Sequence, residues 1–355
     1  MLLIDEICNK VLNNGRISNE EAIMLYNKAD LLELGYLAQQ LMLQRNPQRI
    51  ISFIIDRNIN YSNICDTKCK FCAFYKNEGD TEGYVLSNQQ IFDKIEETIS
   101  VGGTQILMQG GTHPSLPFSY YLDLLANIKK RYTINIHSFS PPEIVHFSKI
   151  SGLSIKQVIE ELVKAGLDSI PGGGAEILVD KIRQKVSPNK ISADQWLGVM
   201  RIAHELGLKT TATMVFGLGE SIEDRIEHLF RVRSLQDETN GFTAFIPWSF
   251  QPTHTELGGI HTGGIEYLKM LAISRIYLDN INNIQVSWVT QGGKMAQIAL
   301  SFGGNDFGST MLEENVVRAA GASNKVPLQD IVYYIKDAGY TPAQRSTQYE
   351  LLKTY

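Results

Sequence analysis

From about residue 58 the chain repeats one unit: a short apolar run, a loop, and an amphipathic segment. The runs expected as strands are Asn58–Ile64, Thr104–Gln109, Ile134–Ser138, Ser169–Pro171, Lys209–Phe216, Gly241–Trp248, Ile284–Val289 and a short one near Leu300–Phe302. Several of the segments that follow open on a serine with a hydrogen-bonding partner three residues on: Ser87/Gln90, Ser154/Gln157, Ser192/Gln195 and Ser221/Asp224. The first three fit the S-x-x-E/Q capping box, and the fourth is a looser relative. Strand, loop and capped helix, repeated without tandem strands, is the pattern of parallel βαβ units. We therefore expect an α/β fold, a TIM-type (β/α)8 barrel over residues 58–355. Residues 1–57 read as an N-terminal helical extension, with its own capping box at Ser18-Asn19-Glu20-Glu21.

Paired or tripled glycines at 102–103, 110–111, 172–174, 258–259, 263–264, 292–293 and 303–304 fall largely beyond predicted strand ends. Glycine there lets backbone approach a ligand closely, and in this fold those loops form the active face. With 43% hydrophobic and 20% charged residues the chain has ample material for a large core. A net charge of −5 without a basic tract gives no electrostatic case for nucleic acid. The charge-free stretch Thr98–Leu122 holds four glycines and two prolines, which is not a membrane span. Met1-Leu2-Leu3-Ile4 runs directly into Asp5 and Glu6, unlike a signal peptide, so a cytoplasmic enzyme is expected.

Of four cysteines, Cys8 stands alone and reads as a small apolar helix residue. The others form Cys65-Asp66-Thr67-Lys68-Cys69-Lys70-Phe71-Cys72, a C-x3-C-x2-C loop directly after the first barrel strand. Three thiolates on one loop can each bind one iron of a 4Fe–4S cluster, which leaves the fourth iron open to a small molecule. A closed zinc site needs four ligands, commonly in two separated pairs, and a ferredoxin needs a fourth cysteine. His113, His254 and His261 pair with no other His or Cys at ligand spacing and read as structural.

With Phe71 before its last cysteine, this loop resembles that of the radical S-adenosylmethionine superfamily. The resemblance implies a 4Fe–4S cluster on Cys65, Cys69 and Cys72, with S-adenosylmethionine chelating the open iron. Reduction by a donor such as flavodoxin or ferredoxin then yields a 5′-deoxyadenosyl radical. It further implies that Gln109, Gly110 and Gly111 receive the cofactor's amino group, that Glu176 binds its ribose, and that Arg183 meets its carboxylate. Met214 and Phe216, ending a strand, would pass beside adenine, with Phe71 close to the cluster.

Longer strings resemble the cyclic dehypoxanthine futalosine synthase family of menaquinone biosynthesis. They are His137-Ser138-Phe139-Ser140-Pro141-Pro142-Glu143-Ile144, Pro247-Trp248-Ser249-Phe250-Gln251-Pro252, Ser287-Trp288-Val289-Thr290-Gln291-Gly292 and Glu313-Glu314-Asn315-Val316-Val317. Thr112 after the glycine pair and Thr253-His254 before Thr255 depart from that pattern. The implied reaction takes hydrogen from ribose C4′ of a small-molecule substrate and adds the carbon radical to a benzoate ring. Restoring the ring needs a base, for which Glu143, Asp306 and His137 are the candidates. Thr290, Gln291 and the Gly292-Gly293 backbone are candidate donors to the substrate carboxylate, and Trp248 and Phe250 candidate stacking residues. Aminofutalosine synthase, the synthase of the deazaflavin FO and a non-enzymatic iron–sulfur carrier are the alternatives.

Overall fold

The computed structural model describes residues 2–355. Ser18, Ser87, Ser154, Ser192 and Ser221 each close a complete capping box, Ser221 with Asp224 included. Among the described residues eleven strands are formed. They are β1 (Ile50–Ile54), β2 (Asp56–Ile59), β3 (Gln105–Met108), β4 (Asn135–Ser138), β5 (Ser169–Ile170), β6 (Lys209–Phe216), β7 (Phe242–Ser249), β8 (Asn283–Ile284), β9 (Asp306–Ser309), β10 (Thr341–Arg345) and β11 (Leu351–Thr354). Strands β2 to β8 form one seven-stranded sheet in sequence order, every neighbour parallel. This is the curled parallel sheet of a TIM-like barrel, with helices between successive strands.

Three expectations are corrected. Residues 50–54, expected within the helical extension, form a strand, Ile50–Ile54. A continuous apolar run of that length fits either state, and pairing with β9 and β10 decides it. Leu300–Phe302 is a single 3-10 turn rather than a strand. The strand beside β8 is β9 instead, joined to it by one parallel bridge, Gln285 to Asp306. Ser287-Trp288-Val289 leaves the predicted strand early, because a short helix, Trp288–Gln291, begins there.

The second sheet runs β11-β10-β1-β9 and lies where the barrel's remaining wall is needed. Its centre is an ion pair: Asp306 on β9 accepts two bonds from Arg345 on β10, at 2.6 and 3.1 Å, and a third from Ser52 on β1 at 2.5 Å. The N-terminal helices dock on the outside. Tyr26 accepts from Arg225, Arg16 bridges Asp237 and Asp279, and Lys269 donates to the Tyr26 carbonyl. Cys8 is half-buried on the first of these helices, packed against the core as a small apolar residue would be.

Candidate active site

One cavity of about 320 Å³ runs through the barrel. Phe71, Cys72 and Ala73 line it at the cysteine loop, and Asp56, Arg345 and Tyr349 line it at the other end. The loop is fixed by backbone bonds from its neighbours. Cys65 donates to Lys76, Asp66 to Thr112, Lys70 to Val186 and Cys72 to Cys69. Thr112, unexpected at its position, is a junction here: its hydroxyl contacts the Cys65 sulfur at 3.3 Å, Thr67 at 2.7 Å and Asp66. Burial pushes the Cys69 thiol up to about 12, against the pull of Lys190, and raises Cys72 as well. Bound iron holds such thiols as thiolates.

Among the described residues no three His, Cys, Asp or Glu side chains converge as ligands of one metal ion. The three thiols sit on one loop, buried at Cys69 and half-buried at Cys65 and Cys72. The histidines are occupied locally: His113 Nδ1 accepts from Ser115, His254 contacts the Ala319 carbonyl and His261 contacts Thr253.

The glycine motif after β3 serves approach. A Cβ on Gly111 would collide with the Ile64 carbonyl, so only glycine lets this strand end lie against the cysteine loop. The amides of Gly110 and Gly111 already donate, to Glu143 at 3.0 Å and to Ser62 at 3.1 Å. Gln109 itself lines the cavity, whereas Gly110 and Gly111 lie behind it. After β5, Gly172, Gly173 and Gly174 line the cavity beside Glu176. Gly172 is stitched to β6 by bonds to Thr211 and from Thr213, too close for any side chain.

Glu176 sits at φ 38° and is 6% exposed. A non-glycine residue held in that region is strained, and such strain clusters at functional sites. Its Oε1 accepts from Lys190 at 3.0 Å, while Oε2 is buried without a hydrogen-bond partner. Lys190 also lies over the Phe71 ring, at 5.1 Å. Nothing in the local sequence pattern singles it out.

Several expected site residues lie elsewhere. Arg183 is 3% exposed and its donors are spent on the carbonyls of Gly174, Ala175 and Ile191. It clamps the glycine loop from behind and pairs with Glu176 Oε2 at 3.7 Å, so no fork is left for a cofactor carboxylate. Met214 and Phe216 are wholly buried on the helix side of β6, with Arg225 over the Phe216 ring. Side chains alternate along a strand, and it is Thr211, Thr213 and Val215 that line the cavity. The alternation in the sequence was the signal that could have found them.

Two of the three candidate bases fall outside the cavity. Glu143 is 2% exposed, accepting from Tyr61 (2.7 Å), Gly110 (3.0 Å) and Ser140 (amide 2.7 Å, hydroxyl 2.6 Å). It fastens a helix start to the glycine motif. Asp306 belongs to the ion pair with Arg345. His137 does line the cavity, with Nδ1 on Ser169 at 2.6 Å, and burial pushes its pKa down to about 3. Trp248, Phe250 and Thr290 line the cavity too, but Gln291 instead donates to Ser249. Sequence reading missed Asp56 and Asn58, which project inward from β2.

Residues 59–232 match the radical SAM superfamily and residues 239–355 the CofH/MqnC C-terminal region. A cyclic dehypoxanthine futalosine synthase of Halalkalibacterium halodurans is 51% identical over 99% of this chain and 96% of its own. One from Streptomyces coelicolor is 44% identical over 98% and 89%. An aminodeoxyfutalosine synthase of Thermus thermophilus is 36% identical over 98% and 96%. The FeFe-hydrogenase maturase of Carboxydothermus hydrogenoformans shares the fold, with a TM-score of 0.77 at 18% identity over 98% of this chain and 80% of that one. The chain therefore belongs to the radical S-adenosylmethionine superfamily and, within it, to the cyclic dehypoxanthine futalosine synthase family.

Proposed function

We propose that this enzyme cyclises dehypoxanthine futalosine, taking hydrogen from ribose C4′ and joining that carbon to the benzoate ring, as a step toward menaquinone. The observation that carries the reading is one chamber lined at one end by Cys72 and Phe71 and through its length by barrel side chains. A cluster-bound cofactor and a small substrate then share a single enclosed space. When bound, a 4Fe–4S cluster and S-adenosylmethionine supply a 5′-deoxyadenosyl radical.

The chain's residues bind, orient and shield. Cys65, Cys69 and Cys72 are the thiolates for three irons. Glu176 Oε2, buried without a hydrogen-bond donor and 3.7 Å from Arg183 Nη1, suits a ribose hydroxyl. With the Gly110 and Gly111 amides already engaged, the backbone there has only carbonyls to offer an ammonium group. Thr213 and Val215, rather than Met214 and Phe216, form the wall beside adenine. Thr290 is the hydroxyl for the substrate carboxylate, and Trp248 and Ile246 exclude water from the reacting carbon. The electron donor is a flavodoxin or ferredoxin, the compartment the cytoplasm, and the helices of residues 2–45 an outer brace. Among the described residues no helix is long and apolar enough to cross a membrane.

With C4′-deuterated dehypoxanthine futalosine, S-adenosylmethionine and a strong reductant, deuterium should pass into deoxyadenosine. The product should be lighter than substrate by one hydrogen molecule's worth of atoms. An adenosyl group found covalently in the product would assign the aminofutalosine synthase reaction instead.

Glu176→Gln should weaken S-adenosylmethionine binding by about 1.5–3 kcal/mol, the range for hydrogen bonds to charged groups. Glu143→Gln should leave that affinity nearly unchanged, since Glu143 does not reach the cavity. Equilibrium binding to both variants checks this. Equal losses would return Glu143 to the cofactor site.

A further inference from the structure

Among the described residues three carboxylates line the cavity: Glu176, Glu314 and Asp56. Glu176 is held by Lys190 at the cysteine-loop end. Glu314 is committed to the amides of Val316, Val317 and Arg318, at 2.9–3.0 Å. Asp56 differs from both. It is 2% exposed, and its oxygens accept only from neutral donors, Gln105 at 2.7 Å and Ser309. Each carboxylate oxygen has room for a further bond. Its backbone is pinned between Thr310 and Leu312, so the side chain's place in the chamber is set.

We propose that Asp56 is the base that takes the proton lost when the benzoate ring regains aromaticity, an assignment that rests on the cyclisation proposed above. Joining C4′ to the ring leaves one ring carbon carrying both the new bond and its hydrogen. That C–H bond breaks, its electron pair enters the ring and the proton goes to Asp56. The surplus electron leaves to an oxidised iron–sulfur centre. Burial raises the Asp56 pKa to about 6, with Ser309, Arg345 and Gln105 opposing and Asp306 adding. A base titrating near working pH is the efficient kind. Of the charged and titratable groups around it, Arg345 and Asp306 neutralise each other and His137 stays uncharged. Lys209 and Tyr349 line the same cavity.

The test uses the loaded enzyme and substrate deuterated at the ring carbon that loses hydrogen. Asp56→Asn should form deoxyadenosine within about twofold of wild type while cyclised product falls about 10²-fold. A ring-deuterium isotope effect on product formation, absent in wild type, should appear, and Asp56→Glu should recover part of the product. A merely structural role would not create that isotope effect. Asp56→Asn with a wild-type product ratio, or with a change confined to KM, overturns the assignment. Should Asp56→Asn not fold, wild type decides. Its yield of product per deoxyadenosine should fall as pH drops through about 6, and a flat ratio overturns the proposal. Wild type that leaves dehypoxanthine futalosine untouched sinks the reaction itself; normal wild-type turnover with an unaffected Asp56→Asn sinks this assignment alone.

Discussion

Cys69→Ala is expected to abolish both iron incorporation and turnover, and so are Cys65→Ala and Cys72→Ala. With three thiols on one loop, the loss of any one leaves an iron of the cluster without its protein ligand. Cys69 is the most enclosed of the three, and alanine in its place fits sterically, so the protein should fold and lack colour. Cys8→Ala should be near neutral in both respects. Iron and sulfide analysis with an optical spectrum after anaerobic reconstitution measures each variant. A Cys69→Ala protein with full turnover would contradict the cluster assignment.

Asp306→Ala should cost about 3–5 kcal/mol of stability, the range for removing one partner of a buried ion pair. Arg345 is wholly inside, with its guanidinium on both Asp306 oxygens, and the Ser52 hydroxyl loses its acceptor at the same time. The penalty comes mainly from the stranded Arg345 charge. Pairing Asp306→Leu with Arg345→Met should therefore return much of the loss. Urea unfolding of the single and double variants reads it. An Asp306→Ala protein of wild-type stability that cannot cyclise substrate would restore Asp306 to the chemistry.

What the sequence made legible was local. Capping boxes, the order of crossovers and the cysteine loop each depend on residues a few positions apart, and each is formed. What it hid depends on distant partners or on side-chain parity. Arg183 looked free until Gly174, Ala175 and Ile191 folded around it. Asp306 looked like a rim carboxylate, yet its partner lies 39 residues on, in a strand with no apolar signature. Asp56 escaped notice because an acidic residue at a strand start reads as a boundary, and its bond to Ser309 spans 253 residues. The resemblance places the end of β6 beside adenine without saying which of its side chains face inward; the period of two along β6 turns Met214 and Phe216 away from the chamber.

The pairing of β1 with β10, Ile50 opposite Thr341, joins segments from nearly opposite ends of the chain. The contacts that shape the cysteine loop close much shorter circuits, Asp66 to Thr112 and Lys70 to Val186. Loop-closure entropy must be met before distant pairings stabilise the fold, and it grows with the length enclosed. The thiol-bearing loop can therefore become ordered while the far wall of the chamber is still missing. Closing the far wall carries the larger chain-entropy cost of the two, by about 1 kcal/mol.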